Sequence, residues 1–226
     1  MSPTTDTRPY HHGDLPNALR HAAREVIAER GLGEFSLREV ARRAGVSHTA
    51  PAHHFGDVQG LLTSVAAHGF ASLADTMEHA LAEITDPVER LVVMGQTYVE
   101  FARTHSADCD LMFRVDLTDD ADEELAAAGL RAHMILEDTV RELIESEELD
   151  LDVDAVATIC WAQVQGLVAL GPKIDFLCEF TGRPSAPRPD LVRQFTELIV
   201  NGLRSHRRSD AILATPDTSA GTPETT

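Results

Sequence analysis

Residues 36–55 read SLREVARRAGVSHTAPAHHF, and their spacing decides how the rest of the chain is read. Ser36 and Glu39 stand three apart, as the two members of a capping box do, and Phe35 just before the cap is placed to staple against Val40. Leu37, Val40, Ala41 and Ala44 recur at i, i+3, i+4 and i+7, which is one apolar face of a short helix. Arg38, Arg42 and Arg43 fall on the faces left to solvent. Gly45 ends the helix, because glycine adopts a left-handed backbone without steric cost. Val46 plugs the corner, and Ser47 is expected to cap a second short helix from about His48 to Phe55. Pro51 then falls near the fourth helical position and is expected to loosen the first turn, since proline removes a backbone donor. Two short helices around a glycine-containing turn form a helix-turn-helix, whose second helix enters the DNA major groove.

The flanking segments support this unit. Asp14 is expected to cap a helix running to about Arg30, with Pro16 tolerated in its first turn. Leu15, Ala18, Leu19, Ala22, Val26 and Ile27 form its buried stripe, which packs under the helix pair. Before it, residues 1–13 read as a flexible arm in which Arg8, Tyr10, His11 and His12 are placed to touch the DNA backbone or minor groove. After it, Asp57 caps a helix from about Val58 to Leu81, with Leu61, Leu62, Val65, Phe70, Leu73 and Met77 on its apolar side.

Net charge at first argues against nucleic acid: the 226 residues carry −18. The distribution of that charge argues the other way. Residues 1–56 hold seven arginines against six acids, a net of +1, and the remainder holds twelve basic residues against thirty-one acids. An acidic body repels phosphate and leaves the N-terminal unit as the docking face. Cysteines 109, 160 and 178 are an odd count with no CxxC spacing, so neither a disulfide framework nor a zinc site is indicated, and a reducing cytoplasm fits. The polar first 14 residues lack the apolar core of a signal peptide. The longest uncharged run, Ala155–Pro172, reaches the lower edge of a membrane-spanning length. Its Thr158, Gln163, Gln165 and terminal Gly-Pro favour instead a helix buried on nearly all sides, with no membrane partner.

Further along, Asp86-Pro87-Val88-Glu89 combines a cap, a first-position proline and a capping-box acid. The helix it starts carries Leu91, Met94, Tyr98 and Phe101 at helical spacing, with His105 one turn on. Leu111, Met112 and Phe113 suggest a short helix before an acidic loop, and a longer helix follows over about 124–147. Asp150, Asp152 and Asp154 offer caps for a helix over about 153–171, which Gly171-Pro172 is expected to kink or interrupt. A final amphipathic helix is expected over about 189–205, and residues 209–226 lack the apolar content to order.

Together with YHHGDL and ALRHAAREVIAERG before it and FGDVQGLLTSVAAHGF after it, the opening stretch resembles the DNA-binding domain of the TetR family of transcriptional regulators, over roughly residues 10–70. The resemblance implies an all-α homodimer: an N-terminal three-helix helix-turn-helix domain, then a C-terminal helical ligand-binding and dimerisation domain. It implies release from an operator by a small ligand, with the helix at 58–81 as the moving part. The implied divisions are an arm at 1–13, the DNA-binding domain at 14–57, the helical domain at 58–208 and a tail at 209–226. The DNA-binding candidates are Arg38, Arg42, Ser47, His48, Thr49, Ala52, His53 and His54. None of those on the second helix is an Arg, Lys, Asn or Gln, the residues that read bases bidentately. Two positions depart from the family: Ala52 stands where an aromatic is usual and Val58 where a Lys is usual, both phosphate-touching positions in the family. Trp161, Gln165 and Gly166 resemble the W-x-x-x-H-G pattern of one C-terminal subclass, with Gln165 in place of His. The resemblance also places the dimer contact on the helices at 153–171 and 189–205.

No nucleotide-binding, hydrolase or metalloprotease signature is present, so neither enzyme, metal nor cofactor is expected. The effector-site candidates are Met94, Tyr98, Phe101, His105, Met112, Phe113, His133, Met134, Trp161 and Gln165. Met and aromatic residues at helical spacing also build ordinary core. The polar candidates discriminate better, because a buried Tyr98, His105, His133 or Gln165 needs a hydrogen-bond partner that a ligand supplies. A regulator without a small ligand, governed by a protein partner, fits the same sequence.

Overall fold

The computed structural model describes residues 14–184 and 186–213, the last eight of these by backbone alone. The proposed arm and residues 214–226 of the proposed tail lie outside the described residues. Nine α-helices and no strand occur among the described residues. They are α1 (Leu15–Arg30), α2 (Leu37–Ala44), α3 (Ala50–Phe55), α4 (Val58–Leu81), α5 (Pro87–Thr104), α6 (Ser106–Met112), α7 (Glu123–Ser146), α8 (Val153–Thr181) and α9 (Arg188–Leu213). A single 3-10 turn, Leu32–Glu34, lies between α1 and α2.

Aspartates start most of the long helices. Asp57 accepts from the Gly60 N–H at 2.9 Å, Asp86 from Glu89 at 2.7 Å and Asp122 from Leu125 at 2.8 Å. Asp152 accepts from Ala155 at 2.8 Å and is thus the cap chosen among the three aspartates around the start of α8. Such caps contribute about 1 kcal/mol each by satisfying an orphan backbone donor. Asp14 occupies the cap position of α1 without a side-chain cap bond.

Three boundaries differ from the sequence expectation. The second helix of the pair, α3, starts at Ala50, with Thr49 and not Ser47 at the cap position. Pro51 therefore sits in the first turn, where no helical partner is needed for its missing N–H, and it is buried. α8 continues through Gly171-Pro172 to Thr181. Proline forfeits one bond there, but Arg188 at the start of α9 braces the segment by bonding Asp175 and lying against Gly171, where a Cβ would meet its guanidinium at 2.8 Å. α9 runs to Leu213, so helical backbone covers 209–213, where the sequence suggested the start of a tail.

Contacts group the described residues into two compact units, one of those up to Thr76 with Glu100–His133, the other of Met77–Val99 with those from Met134 onward. In the first, Leu19, Ala23, Val26 and Ile27 of α1 share a core with Val40 of α2, Leu61, Leu62 and Val65 of α4, Leu111 of α6 and Leu125 of α7. α6 approaches α4 closely at Gly69, where a Cβ would stand 3.0 Å from both Asp108 Cβ and Met112 Sδ. This approach brings Asp108, only 3% exposed, into the core margin. Arg24 of α1 donates through Nε to its Oδ1 at 2.7 Å and pairs through Nη2 with His68 Nδ1 at 3.0 Å. The loop after α6 is pinned to α4 as well: Gln59 donates to the Thr118 carbonyl, and the buried Thr63 hydroxyl accepts from the Asp119 N–H.

In the second unit, Leu91, Val140, Leu143, Ile144, Val156, Ala157 and Val200 form the core. Gly95 lets α5 meet α9 and α8, since a Cβ there would stand 2.7 Å from Val192 and 3.1 Å from Val164. Arg193 forks onto Glu89 at 2.9 and 3.0 Å. α8 is not buried on nearly all sides as its composition suggested. It has the length and mean hydropathy (1.5) of a membrane-crossing helix, yet only 17% of that stretch is buried. Ile159, Leu170, Phe176, Leu177 and Phe180 lie exposed along it. One face packs on α5 and α9, and the opposite apolar face is uncovered among the described residues.

The Arg24–Asp108 pair generates a stability test. Removing the cation leaves a buried carboxylate unpaired, a loss of about 3 kcal/mol, at the lower end for a broken buried pair because Arg24 still touches water. Denaturant unfolding of Arg24→Ala is expected to show this loss, whereas Arg38→Ala stays within about 0.5 kcal/mol of the parent.

Candidate nucleic-acid interface and effector-site residues

The turn between α2 and α3 is built as its residues dictate. Ser36 Oγ accepts from the Glu39 N–H at 3.4 Å, opening α2. Gly45 adopts φ +68° and closes it, donating to the Arg42 carbonyl, and the Val46 N–H returns to the Ala41 carbonyl. Leu37, Ala44, Val46 and Phe55 pack onto the first unit's core, fixing the angle between the two helices. Ser47 and Thr49 bring their hydroxyls within 3.2 Å of each other ahead of α3.

All the candidate DNA-facing side chains, Arg38, Arg42, Ser47, His48, Thr49, Ala52, His53 and His54, are exposed on this pair of helices and its turn. His53 and His54 present tilted rings with centroids 5.7 Å apart. Val58, at the start of α4, is exposed as well.

Electrostatics sort the arginines. Glu39 does more than belong to a capping box: its carboxylate receives Arg42, Arg43 and Arg30. The bonds from Arg42, with help from Arg43 and Arg30, hold that carboxyl down to about 2. Arg43 is also forked onto Glu29, which raises its guanidinium further. Arg38 has no carboxylate within ion-pair reach among the described residues. The i, i+3 and i, i+4 spacings of Arg42 and Arg43 to Glu39 were visible in the sequence, but the cross-helix links to Arg30 and Glu29 were not.

The effector-site candidates divide between the two units. In the first, Phe101 and Met112 are buried and Phe113 packs edge-on against Phe70 with centroids 5.5 Å apart. His105 is exposed, contrary to expectation: it occupies the cap position of α6, stacks on Phe101 at 4.3 Å and pairs with Thr104 Oγ1 at 2.9 Å. His133 is half-buried. In the second unit Met94 and Tyr98 are buried, and the Tyr98 hydroxyl donates to Gln165 Oε1. The Tyr98 hydroxyl thus has its partner within the protein. Trp161, expected to be buried, is 39% exposed, and Met134 is 47% exposed. A cleft of about 330 Å³ in the second unit is lined by Glu78, Leu81, Ala82, Arg90, Ile135, Asp138 and Glu142, and none of the candidates borders it.

Comparison with known proteins follows this geometry. Residues 19–65 match the family described as bacterial regulatory proteins, tetR family, and residues 91–176 match the tetracyclin repressor-like, C-terminal domain. The HTH-type transcriptional regulator BetI of Pseudomonas aeruginosa is 33% identical over 72 residues, 32% of this chain. The match spans 36% of that relative's length, about a third. A protein of unknown function from Rhodococcus sp. RHA1 has the same fold at TM-score 0.73 and 29% identity, over 88% of this chain and 100% of the other. The transcriptional regulator FadR from Bacillus subtilis, solved in complex with stearoyl-CoA, shares the fold at TM-score 0.63 and 19% identity, over 82% of this chain and 98% of its own. The matching families and curated relatives are regulators, not enzymes. With tetR-type sequence wrapped around an outward-facing helix-turn-helix and a repressor-like domain after it, this chain belongs to the TetR family of transcriptional regulators.

Proposed function

We propose that the chain is a cytoplasmic homodimeric repressor that binds a near-palindromic operator and is released by a small, mainly apolar effector. The helix-turn-helix domain at 14–57 docks on DNA, and the helical domain at 58–208 dimerises and holds the effector. The carrying observation is the α2–α3 surface, where every side chain expected to face DNA is exposed while Val40, Ala41 and Pro51 anchor the pair beneath.

Dimerisation rests on the uncovered apolar surface of α8 and α9. Ile159, Leu170 and Leu177 recur at spacings of eleven and seven residues on one side of α8, and Phe195 and Leu198 lie exposed on α9. A second copy laid on this surface covers it, and two helix-turn-helix units related by a two-fold axis call for a near-palindromic site with half-sites about a helical turn apart, ~34–36 Å, or a multiple. We take Met94, the Tyr98–Gln165 pair and Trp161, one turn from Gln165, as the wall that holds the effector, apolar with one polar couple. Trp161, Gln165 and Gly166 are taken as the mark of a WHG-like C-terminal subclass. An acyl chain, as FadR of Bacillus subtilis holds in stearoyl-CoA, is the chemistry such a wall accepts.

Selection of bound fragments from genomic DNA, followed by a screen of acyl compounds for release, tests this reading. The expected operator is near-palindromic, the protein sediments as a dimer at micromolar concentration, and Trp161 emission changes over the range in which operator is released. A monomer in sedimentation, or recovery of no preferred sequence, overturns it.

Ala52 and Val58 provide a second test. Both are exposed at the docking surface, Val58 to 41%, so larger residues there meet no packing obstacle. Ala52→Tyr with Val58→Lys is expected to tighten operator binding about tenfold at matched salt, the worth of one charge-assisted hydrogen bond of about 1.5 kcal/mol. Unchanged affinity in a competition assay removes these positions from the phosphate-contacting set.

A further inference from the structure

The proposed DNA-facing surface carries its own counter-charge. Arg42 grips Glu39 as a fork, Nε to Oε2 at 2.9 Å and Nη2 to Oε1 at 2.7 Å. Arg43 Nε reaches Oε1 at 3.2 Å and Arg30 Nη2 reaches it at 3.1 Å. Beneath these guanidiniums the Glu39 side chain keeps 13% exposure, while Arg42 itself is 66% exposed and open to an approaching ligand. Arg38, four residues before Arg42 on α2, is exposed and has no carboxylate partner among the described residues.

A carboxylate and a phosphate offer a guanidinium fork the same pair of oxygens. An arginine already closed on a carboxylate therefore offers DNA less unmatched charge, and neutralising a phosphate with its fork requires exchange of partners. An arginine without a carboxylate neutralises a phosphate directly and releases its counterions. We propose that Glu39 is a built-in competitor for DNA phosphate, holding Arg42 in a pair that phosphate has to displace, so that Arg38 dominates the backbone contact and Glu39 sets the strength and salt dependence of DNA binding. This rests on the DNA-binding role proposed above. It also divides Arg38 from Arg42, which spacing alone makes equivalent. Glu39 acts as a positioning residue whose influence passes through Arg42.

The test uses the full chain and a fluorescently labelled mixed-sequence duplex of about 30 base pairs, because non-specific binding is driven by phosphate neutralisation and needs no operator. Anisotropy is followed from about 20 to about 200 mM salt, a range over which phosphate contacts show as the slope of log K against log salt. Glu39→Gln keeps the spacing of the cap and removes the charge. It is expected to tighten binding at low salt and to steepen the slope by about one per helix-turn-helix. In the parent chain, Arg38→Gln is expected to lower the slope by about one and Arg42→Gln by clearly less. In the Glu39→Gln background the two arginine substitutions become equal. Thermal melts of each variant establish that it is folded, and if Glu39→Gln is not, the parent-chain comparison of Arg38→Gln with Arg42→Gln decides.

An unchanged slope or weaker binding in folded Glu39→Gln overturns the proposal and makes Glu39 an organiser of Arg42 for DNA. Equal losses from Arg38→Gln and Arg42→Gln in the parent chain overturn it too. A parent chain that leaves the duplex free even at about 20 mM salt brings down the DNA-binding reading itself.

Discussion

Helices of eight and six residues have no stability of their own in water, because the cost of nucleating a helix is recovered only over many more residues. The surface that α2 and α3 present exists only because Leu37, Val40, Ala44, Val46 and Phe55 are held on a core supplied by α1, α4, α6 and α7. Everything on the outward side inherits its position from that packing. The glycine at 45 makes the arrangement sterically possible by reversing the chain at positive φ, but the core fixes the angle. The Arg24–Asp108 pair belongs to the same constraint. It ties the first helix to the sixth across 84 residues, with a carboxylate so buried that neither partner is dispensable.

Charge on this molecule is local before it is global. The chain carries net −18, yet its acids are concentrated after residue 56 in the sequence, while residues 1–56 are close to balanced. Within the docking face a second, finer division applies. Glu29 and Glu39 draw Arg43, Arg42 and Arg30 into a network, leaving Arg38 as the cation of α2 without a carboxylate among the described residues. The number of arginines on α2 therefore overstates its unmatched charge. The exposed histidines of α3 add hydrogen-bonding groups to the same surface.

The eighth helix shows how composition misleads when the partner of a surface lies outside the chain. Its apolar character suggests a buried core helix, and its length and hydropathy also suit a bilayer. In the single chain it is neither. Apolar side chains from Ile159 to Phe180 line a surface that a second copy of the same chain covers in the proposed dimer, since a two-fold axis pairs identical faces.

Much of the architecture was legible in the sequence because it rests on local chemistry. The capping serine at 36, the glycine at 45, the aspartates before α4, α5 and α8, and the 3.6-residue apolar stripes each act within a few residues of their own position. The order and approximate extent of the helices, and the exposure of the DNA-facing residues, followed from them. Boundaries that depend on distant neighbours did not. α8 passes through Pro172 where Arg188 braces it, and α3 starts late enough to place Pro51 in its first turn. The polar partners were equally hidden, as with Tyr98 on Gln165, Arg24 on Asp108 and Glu39 gathering an arginine from a second helix. Such contacts join residues that can lie tens of positions apart, and which of many similar side chains meet is set by helix packing. The sequence by itself determined the helices, their faces and the family; only the tertiary structure decided which charges cancel, which polar groups find each other and which apolar face is left uncovered, because those are properties of distance in space and not of spacing along the chain.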